Sequence, residues 1–182
     1  MAVGRQAGLV AIGWFALAAT ALGDDLGRIA NPAIDSPGYL RAATAALSYR
    51  DTRRLSEEEF LRFAREPGTV VLDARSREKF DELHIAGAIN LSFPDIALET
   101  LRQEIPNRST RILIYCNNNF RGAEGPFASK LPAASLNLST FIALYTYGYR
   151  NVWELAPQLD LEHSILRFEG DRRRDDGRRS PT

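Results

Sequence analysis

The residues best suited to chemistry surround the single cysteine of the sequence. Cys116 follows the apolar run Ile112–Tyr115 and precedes three consecutive asparagines, Phe120 and Arg121. A thiolate is a nucleophile, while asparagine amides and a guanidinium are donors that can hold an anion. Asparagine also accepts left-handed backbone angles better than other non-glycine residues. We therefore predict a loop of inward-facing amides that holds an anion or a negatively charged adduct of the cysteine sulfur.

Other catalytic schemes have few candidate residues. A cysteine hydrolase needs a histidine base, and the sequence holds two histidines. His84 precedes a predicted strand, where we expect a structural hydrogen bond rather than catalysis. Neither clustered metal ligands nor a glycine-rich phosphate motif is present, so we expect no metal and no cofactor. A buried, inert cysteine is the alternative, which the polar loop disfavours.

The segments around this loop alternate between short apolar strands and helices of about ten residues. Such alternation predicts an α/β fold: a doubly wound sheet of about five mainly parallel strands with helices on both faces. Ser56 and Glu59 form a capping box, and Gly148 is placed to end a helix. Strands are predicted at residues 54–55, 69–72, 89–91, 112–115 and 151–155, and helices at 39–47, 56–65, 76–83, 94–104, 127–131 and 135–147.

The N-terminus has the features of a secretory signal. Arg5 precedes the apolar run Leu9–Leu22, and small residues precede Asp24. We predict that residues 1–23 are a signal peptide and that the protein is exported, in bacteria to the periplasm. The apolar run is shorter than the roughly 20 residues that span a bilayer, so we expect no stable membrane insertion after cleavage. An uncleaved anchor is the alternative. A lone cysteine in an exported protein indicates either intermolecular pairing or a free reactive thiol.

The rest of the chain divides by composition. We predict an N-terminal extension with one helix at 24–52, a main domain at 53–157, a C-terminal extension packing on it at 158–170, and a disordered tail at 171–182. Lysine plus arginine (23) equals aspartate plus glutamate (23), so we expect no nucleic-acid partner. The N-terminal extension could form a surface for a protein partner in the cell envelope.

Four segments together resemble the rhodanese family of sulfurtransferases. They are Val71–Arg75 at a strand end, Glu82–Leu91 with its His-Ile-x-Gly-Ala-x-Asn pattern, Tyr115–Cys116 with Arg121, and Tyr147–Leu155. The resemblance covers about residues 53–157. It implies a single rhodanese-like domain. By the same resemblance, Asp73 and Arg75 are structural and tie the strand to the loop.

The resemblance also implies a ping-pong reaction. Cys116 would take a sulfane sulfur from a small anionic donor such as thiosulfate and pass the persulfide sulfur to cyanide or a thiol. In this family a six-residue loop goes with sulfur transfer and one residue more goes with phosphatases; Cys116–Arg121 is of the shorter type. The implied substrate-binding residues are Asn117, Asn118, Asn119, Phe120 and Arg121.

Two further expectations concern the same loop. A catalytically weak rhodanese-like binding or sulfur-carrier module is the alternative function. The helix after the loop is expected to begin at Arg121 or, with Gly125 as its cap, at Pro126. Its start decides how directly the helix dipole points at the sulfur.

Overall fold

The computed structural model describes residues 31–171 of the chain. The chain divides into two compact units, Met1–Ile34 and Asp35–Thr182. In the first, the Asn31 carbonyl accepts a hydrogen bond from the Ile34 amide at 3.0 Å. The predicted signal peptide and the predicted disordered tail, apart from its first residue, lie outside the described residues. Within the described range, no helix is long and apolar enough to cross a membrane.

Nine strands and five α-helices make up the part of the second unit that the structure describes. The strands are β1 (Arg54–Leu55), β2 (Thr69–Asp73), β3 (His84–Ile85), β4 (Ile89–Asn90), β5 (Arg111–Tyr115), β6 (Phe120–Arg121), β7 (Val152–Leu155), β8 (Leu159–Asp160) and β9 (Phe168–Glu169). The helices are α1 (Ser36–Arg50), α2 (Glu57–Ala64), α3 (Arg77–Glu82), α4 (Leu98–Glu104) and α5 (Leu136–Thr146).

The central sheet has five parallel strands in the order β1-β7-β5-β2-β4. Strand β5 is its middle strand and pairs with β2 from Thr69–Arg111 to Asp73–Tyr115. A strand buried on both faces must be apolar throughout, which is why β5 reads as an uninterrupted apolar run. The predicted five-stranded α/β sheet is confirmed, and β5 delivers Cys116 to its carboxyl edge.

Two apolar cores cover the two faces of this sheet. Along β5 the side chains alternate: Ile112 and Ile114 join the core under α1, α4 and α5, whereas Leu113 and Tyr115 join the core under α2. The alternation follows from the two-residue period of a strand. The prediction of helices on both faces is therefore confirmed.

Helix α1 is part of the folded domain. Asp35 caps it by accepting from the Gly38 amide at 2.8 Å, and Ala46 is fully buried in the core. At its end, Arg50 donates to Glu154 of β7, whose side chain is only 1% exposed; Arg54 of β1 reaches the same carboxylate at 3.2 Å. The helix predicted in the N-terminal extension is thus present, and it packs on the domain.

Local sequence signals set several other boundaries as predicted. Ser56 Oγ accepts from the Glu59 amide at 3.2 Å while the Glu59 carboxylate accepts from the Ser56 amide at 2.9 Å, which is the predicted capping box. Helix α5 is followed by Gly148 at φ +92°, the left-handed position expected there.

Two predicted helices differ in the structure. The helix predicted at 94–104 is divided into a 3₁₀ turn at Phe93–Asp95 and α4, because the Thr100 hydroxyl bonds the Asp95 carbonyl and the Ala97 amide between them. The helix predicted at 127–131 is absent. Asn118 binds both the amide and the carbonyl of Lys130, and these backbone groups are then not available to a helix.

Strand β7 is not the last strand, contrary to prediction. Strand β8 pairs in parallel with β6, and β9 pairs antiparallel with β3. Leu166 and Phe168 are buried in the α2-side core, while Ile165 is exposed. Leu166 and Phe168 therefore contribute to this core, and the predicted division at 158–170 stays a prediction.

Candidate active site

Cys116 lies at the carboxyl edge of the central sheet, directly after β5. Ligands of open α/β sheets bind at this edge. Its side chain is buried, with 1% of the residue exposed. The sulfur lies 3.4 Å from the hydroxyl oxygen of Ser135.

The loop after Cys116 is a 3₁₀ turn at Asn117–Asn119 followed by β6. Three of its amides are bonded within the loop: Cys116 to the Asn119 side chain, Asn119 to the Cys116 carbonyl, and Phe120 to the Asn117 carbonyl. No described residue other than glycine has a positive φ. The left-handed backbone angles that we expected for the asparagines are therefore absent, while the predicted role of the loop in holding an anion stays a prediction. A right-handed 3₁₀ turn directs these amides to their own loop.

Asn119 fastens the loop to the neighbouring strand. Its amide nitrogen donates to the carbonyls of Leu155 at 2.8 Å and Pro157 at 3.1 Å. Its Oδ1 accepts from the Cys116 amide at 2.8 Å and from Asn137 of α5 at 3.1 Å. Every polar atom of this buried side chain is thus used by the protein, and its predicted role in binding substrate stays a prediction.

The other four predicted substrate-binding residues have different surroundings. Asn118 is bonded to the Lys130 backbone, as described above. Phe120 is 1% exposed and packs against the rings of Tyr115, Phe127 and Phe168 at 4.6–5.9 Å between centroids. Arg121 has a side chain 65% exposed, and its Nε lies 3.4 Å from an Asp160 carboxylate oxygen. Asn117 is the one of the five that lines the pocket described below.

Ser135 is the contact that sequence reasoning missed. It immediately precedes α5, where a serine hydroxyl usually accepts from a helix amide, but here the side chain makes no such bond. The hydroxyl instead contacts the Cys116 sulfur. Among the described residues, the α-helix that reaches the cysteine is thus α5. No helix begins at Arg121 or Pro126, so both starting positions that we expected for the next helix are wrong.

Asp73, Arg75 and Tyr115 form a buried network behind the loop. Arg75 Nη2 donates to Asp73 at 2.5 Å and to the Leu83 carbonyl at 2.7 Å, while its Nη1 donates to the Pro126 carbonyl at 2.8 Å. The Tyr115 hydroxyl donates to Asp73 at 2.5 Å. The predicted structural role, tying the strand to the loop segment, is confirmed by these contacts.

Burial and charge keep this network in one protonation state. Burial raises the pKa of Tyr115 well above its ordinary value, and the charge of Asp73 adds to the effect. Burial by itself would lower the pKa of Arg75, but the bonds to Asp73 outweigh it, and that pKa is raised. Tyr115 is consequently a neutral donor and Arg75 a cation at all ordinary pH values.

His84 is structural, as expected. Its Nδ1 lies 2.7 Å from the Phe80 carbonyl oxygen, and its ring stacks on the Phe80 ring at 3.7 Å. Within residues 31–171, no group of three or more potential metal ligands is clustered.

A pocket of about 470 Å³ opens beside the cysteine loop. Cys116 is not among its lining residues, but Asn117 and Leu136 are, and these directly follow Cys116 and Ser135 in the chain. The ionisable lining residues are all cationic. The full lining is Ala74, Arg75, Ser76, Lys79, Ser92, Phe93, Pro94, Asn117, Ala128, Lys130 and Leu136.

Comparison with known proteins assigns the family. The sequence profile of the rhodanese-like domain matches residues 56–156, more than half of the chain. The chain belongs to the rhodanese-like family. The predicted resemblance to this family of sulfurtransferases is thereby confirmed. No curated protein sequence matches this rhodanese-like chain significantly.

Solved structures similar to this rhodanese-like domain share little sequence with it. A rhodanese-like domain from Anabaena is 18% identical with a TM-score of 0.48, over 71% of this chain and 85% of that one. A protein from Bacillus halodurans is 19% identical with a TM-score of 0.48, over 76% and 88%. A thiosulfate sulfurtransferase from Pseudomonas aeruginosa is 21% identical with a TM-score of 0.45, over 71% of this chain and 22% of that one.

Proposed function

We propose that this rhodanese-like domain is a sulfurtransferase in which Cys116 carries the sulfane sulfur as a persulfide. One observation carries the proposal. The only thiol of the sequence lies at the carboxyl end of the middle strand, against a hydroxyl that caps no helix. The next residue, Asn117, lines a pocket whose charged lining residues are all cationic. Family membership and the six-residue spacing of Cys116 and Arg121 support the same reaction.

The reaction has two balanced steps. In the first, the Cys116 thiolate attacks the outer sulfur of thiosulfate, the sulfur–sulfur bond breaks, and sulfite leaves with the electron pair. In the second, cyanide or a thiolate attacks the outer sulfur of the persulfide and regenerates the Cys116 thiolate. The products are thiocyanate or a new persulfide, and no external oxidant or reductant is needed.

Ser135 has a defined part in this scheme. Its hydroxyl, 3.4 Å from Sγ, donates to the sulfur when the thiolate forms. A persulfide extends about 2 Å beyond Sγ.

Mass spectrometry tests the proposal directly. The protein is incubated with thiosulfate, and Cys116 is expected to gain the mass of one sulfur atom; adding cyanide is expected to remove it and yield thiocyanate. Cys116→Ser should do neither. If the wild type shows neither a mass gain nor thiocyanate, the sulfurtransferase proposal is wrong.

A second function is favoured by the burial of the thiol. Because Cys116 is 1% exposed and three of the loop amides are bonded within the loop, the domain could act as a binding or sulfur-carrier module with little turnover. That module would load one sulfur but release thiocyanate far more slowly than it loads. Partner binding by a module would survive Cys116→Ser, whereas sulfurtransferase activity would not.

The site of action is a separate proposal. The sequence of residues 1–23 supports export to the bacterial periplasm, with anchoring by an uncleaved segment as the alternative. N-terminal sequencing of the protein recovered from a periplasmic extract should begin at Asp24. Recovery of the intact N-terminus from the membrane fraction would favour the anchor.

A further inference from the structure

Asn137 is a buried polar residue of α5 that the two reaction steps do not use. It lies in the first turn of the helix, is 5% exposed, and donates from Nδ2 to Asn119 Oδ1 at 3.1 Å. Its own Oδ1 is buried and has no hydrogen-bond partner among the described residues. An unpaired buried acceptor costs free energy, and an apolar side chain of similar shape would avoid that cost. What asparagine adds at this position is therefore its donor.

The acceptor of that hydrogen bond holds the backbone of Cys116 on both sides. Asn119 Oδ1 also accepts from the Cys116 amide at 2.8 Å, and the Asn119 amide donates to the Cys116 carbonyl at 3.1 Å. Cys116 is held in an extended conformation, with φ −148° and ψ −174°. Because the backbone sets the direction of the Cα–Cβ bond, the position of Asn119 decides where the sulfur lies.

The start of α5 thus holds the cysteine at two points. Ser135, the residue before the helix, contacts the sulfur at 3.4 Å. Asn137, two positions further on, holds the side chain that fixes the Cys116 backbone. Both contacts depend on one helix of 11 residues, which is anchored in the core by the fully buried side chains of Phe141 and Leu144. A shift of the cysteine loop against α5 would therefore change both contacts together.

We propose that Asn137 is a positioning residue for Cys116 and acts through Asn119. The proposal rests on the proposed sulfurtransferase function. Sulfur loading requires the thiolate to approach the outer sulfur of the donor in line with the bond that breaks, and a misplacement of about 1 Å can slow such a step a hundredfold. Asn137 is uncharged and is not among the residues that line the pocket. It therefore contributes to the orientation of the sulfur and not to the affinity for the donor.

Asn137→Leu separates positioning from stability. Leucine has a similar shape, removes the unpaired acceptor and cannot donate to Asn119, so the variant should be at least as stable as the wild type in thermal unfolding. Its maximal rate of sulfur loading from thiosulfate should nevertheless fall about tenfold, with the KM for thiosulfate changed less than twofold. Asn137→Ala, which removes the donor without adding apolar volume, should slow loading by a similar factor.

Thr140→Val is the matched control. The Thr140 hydroxyl is also buried in α5 and has no partner in the range 31–171, and valine keeps the shape of threonine without the hydroxyl. This variant should load sulfur at the wild-type rate, because Thr140 has no hydrogen bond to the cysteine loop.

Two further measurements test whether Asn137 acts through Asn119. Asn119→Ala should slow loading about tenfold or more, and the double variant Asn119→Ala/Asn137→Leu should be no more than about twofold slower than Asn119→Ala alone. Hydrogen exchange needs no sulfur donor. Exchange of the Cys116 amide, followed by NMR, should be at least about threefold faster in Asn137→Leu than in the wild type, and unchanged in Thr140→Val.

The outcomes separate the two proposals. If the wild type loads sulfur and Asn137→Leu matches it in loading rate and in Cys116 amide exchange, the positioning role is overturned and the sulfurtransferase proposal stands. Effects that multiply fully in the double variant also overturn it, because Asn137 would then act independently of Asn119. If the wild type loads no sulfur, the proposed function is overturned. Amide exchange then decides the hold on Cys116 by itself: faster exchange in Asn137→Leu supports it, and unchanged exchange overturns it.

Discussion

Replacing Arg75 by leucine should remove the charged centre that holds β2 to the segment after the cysteine loop. The guanidinium binds the Asp73 carboxylate and the backbone carbonyls of Leu83 and Pro126, and all these contacts are buried. Leucine fills part of the same volume but donates no hydrogen bond. The variant therefore keeps a buried carboxylate with Tyr115 as its remaining side-chain donor.

The expected loss of stability is large. Removing one partner of a buried ion pair costs about 3–5 kcal/mol because the other charge stays in a medium of low polarity. The two carbonyls that lose their donors act in the same direction, at about 1 kcal/mol or more each, although such terms are not additive. We therefore expect the free energy of unfolding to fall by about 4 kcal/mol. A domain of ordinary stability, about 5–15 kcal/mol, would remain folded at 25 °C or nearly so.

Urea unfolding followed by circular dichroism measures this loss. Arg77→Leu, two residues further along, is the matched control: its side chain is 73% exposed in a pair with Asp81, and its loss should cost no more than about 1 kcal/mol. The double variant Asp73→Asn/Arg75→Leu should be more stable than Arg75→Leu alone, because no buried charge is left unpaired. A loss below about 1 kcal/mol for Arg75→Leu, or a double variant that is less stable still, would refute the reasoning.

Three further predictions concern other parts of the domain. Because the pKa of Tyr115 is raised in the folded state, the stability linked to it is complete below the unfolded value of about 10 and is lost as pH rises further; Tyr115→Phe should show a shallower fall in urea stability between pH 10 and 11.5. Asn119→Ala should lower the free energy of unfolding by about 2–4 kcal/mol and speed alkylation of Cys116 by iodoacetamide, since four hydrogen bonds that hold the loop are lost. Ser56→Ala should cost about 1 kcal/mol in thermal unfolding through loss of the cap on α2, and Ser56→Thr should retain most of it.

The features that the sequence predicted are those specified by neighbouring residues. The strand β5 is recognisable because four adjacent apolar residues must be buried together, and α2 because Ser56 and Glu59 cap each other across three positions. The structural role of Asp73 and Arg75 followed from the family resemblance. The position of Cys116 at the sheet edge follows from the parallel order of the strands, once each strand is recognised.

The features that the sequence did not predict depend on contacts between distant segments. Residues 127–131 have reasonable helix propensity, but Asn118 captures the backbone of Lys130 from twelve positions away and prevents the helix. Propensity is a weak preference that such contacts override. Ser135 could be recognised as a residue before a helix, but the direction of its hydroxyl depends on where α5 packs against the cysteine loop.

The cationic pocket was missed for a similar reason. Lys79 and Lys130 are 51 residues apart in the numbering of the sequence and have no shared motif. One belongs to α3 and the other to the irregular segment before α5. A simple signal was nonetheless present, since a chain rich in arginine that uses lysine at only two positions singles out those two.

The buried carboxylate of Glu154 limits how far the N-terminus of the domain can be truncated. Both arginines that neutralise it, Arg50 and Arg54, precede residue 56, where the match to the family profile begins. A fragment starting at residue 56 would leave the buried Glu154 carboxylate without its two arginines. It would also expose to water the part of the core that Ala46 now covers. The segment that the family profile matches is therefore shorter than the segment that pairs Glu154 and buries Ala46. A fragment that keeps these contacts and the Asp35 cap of α1 begins at Asp35.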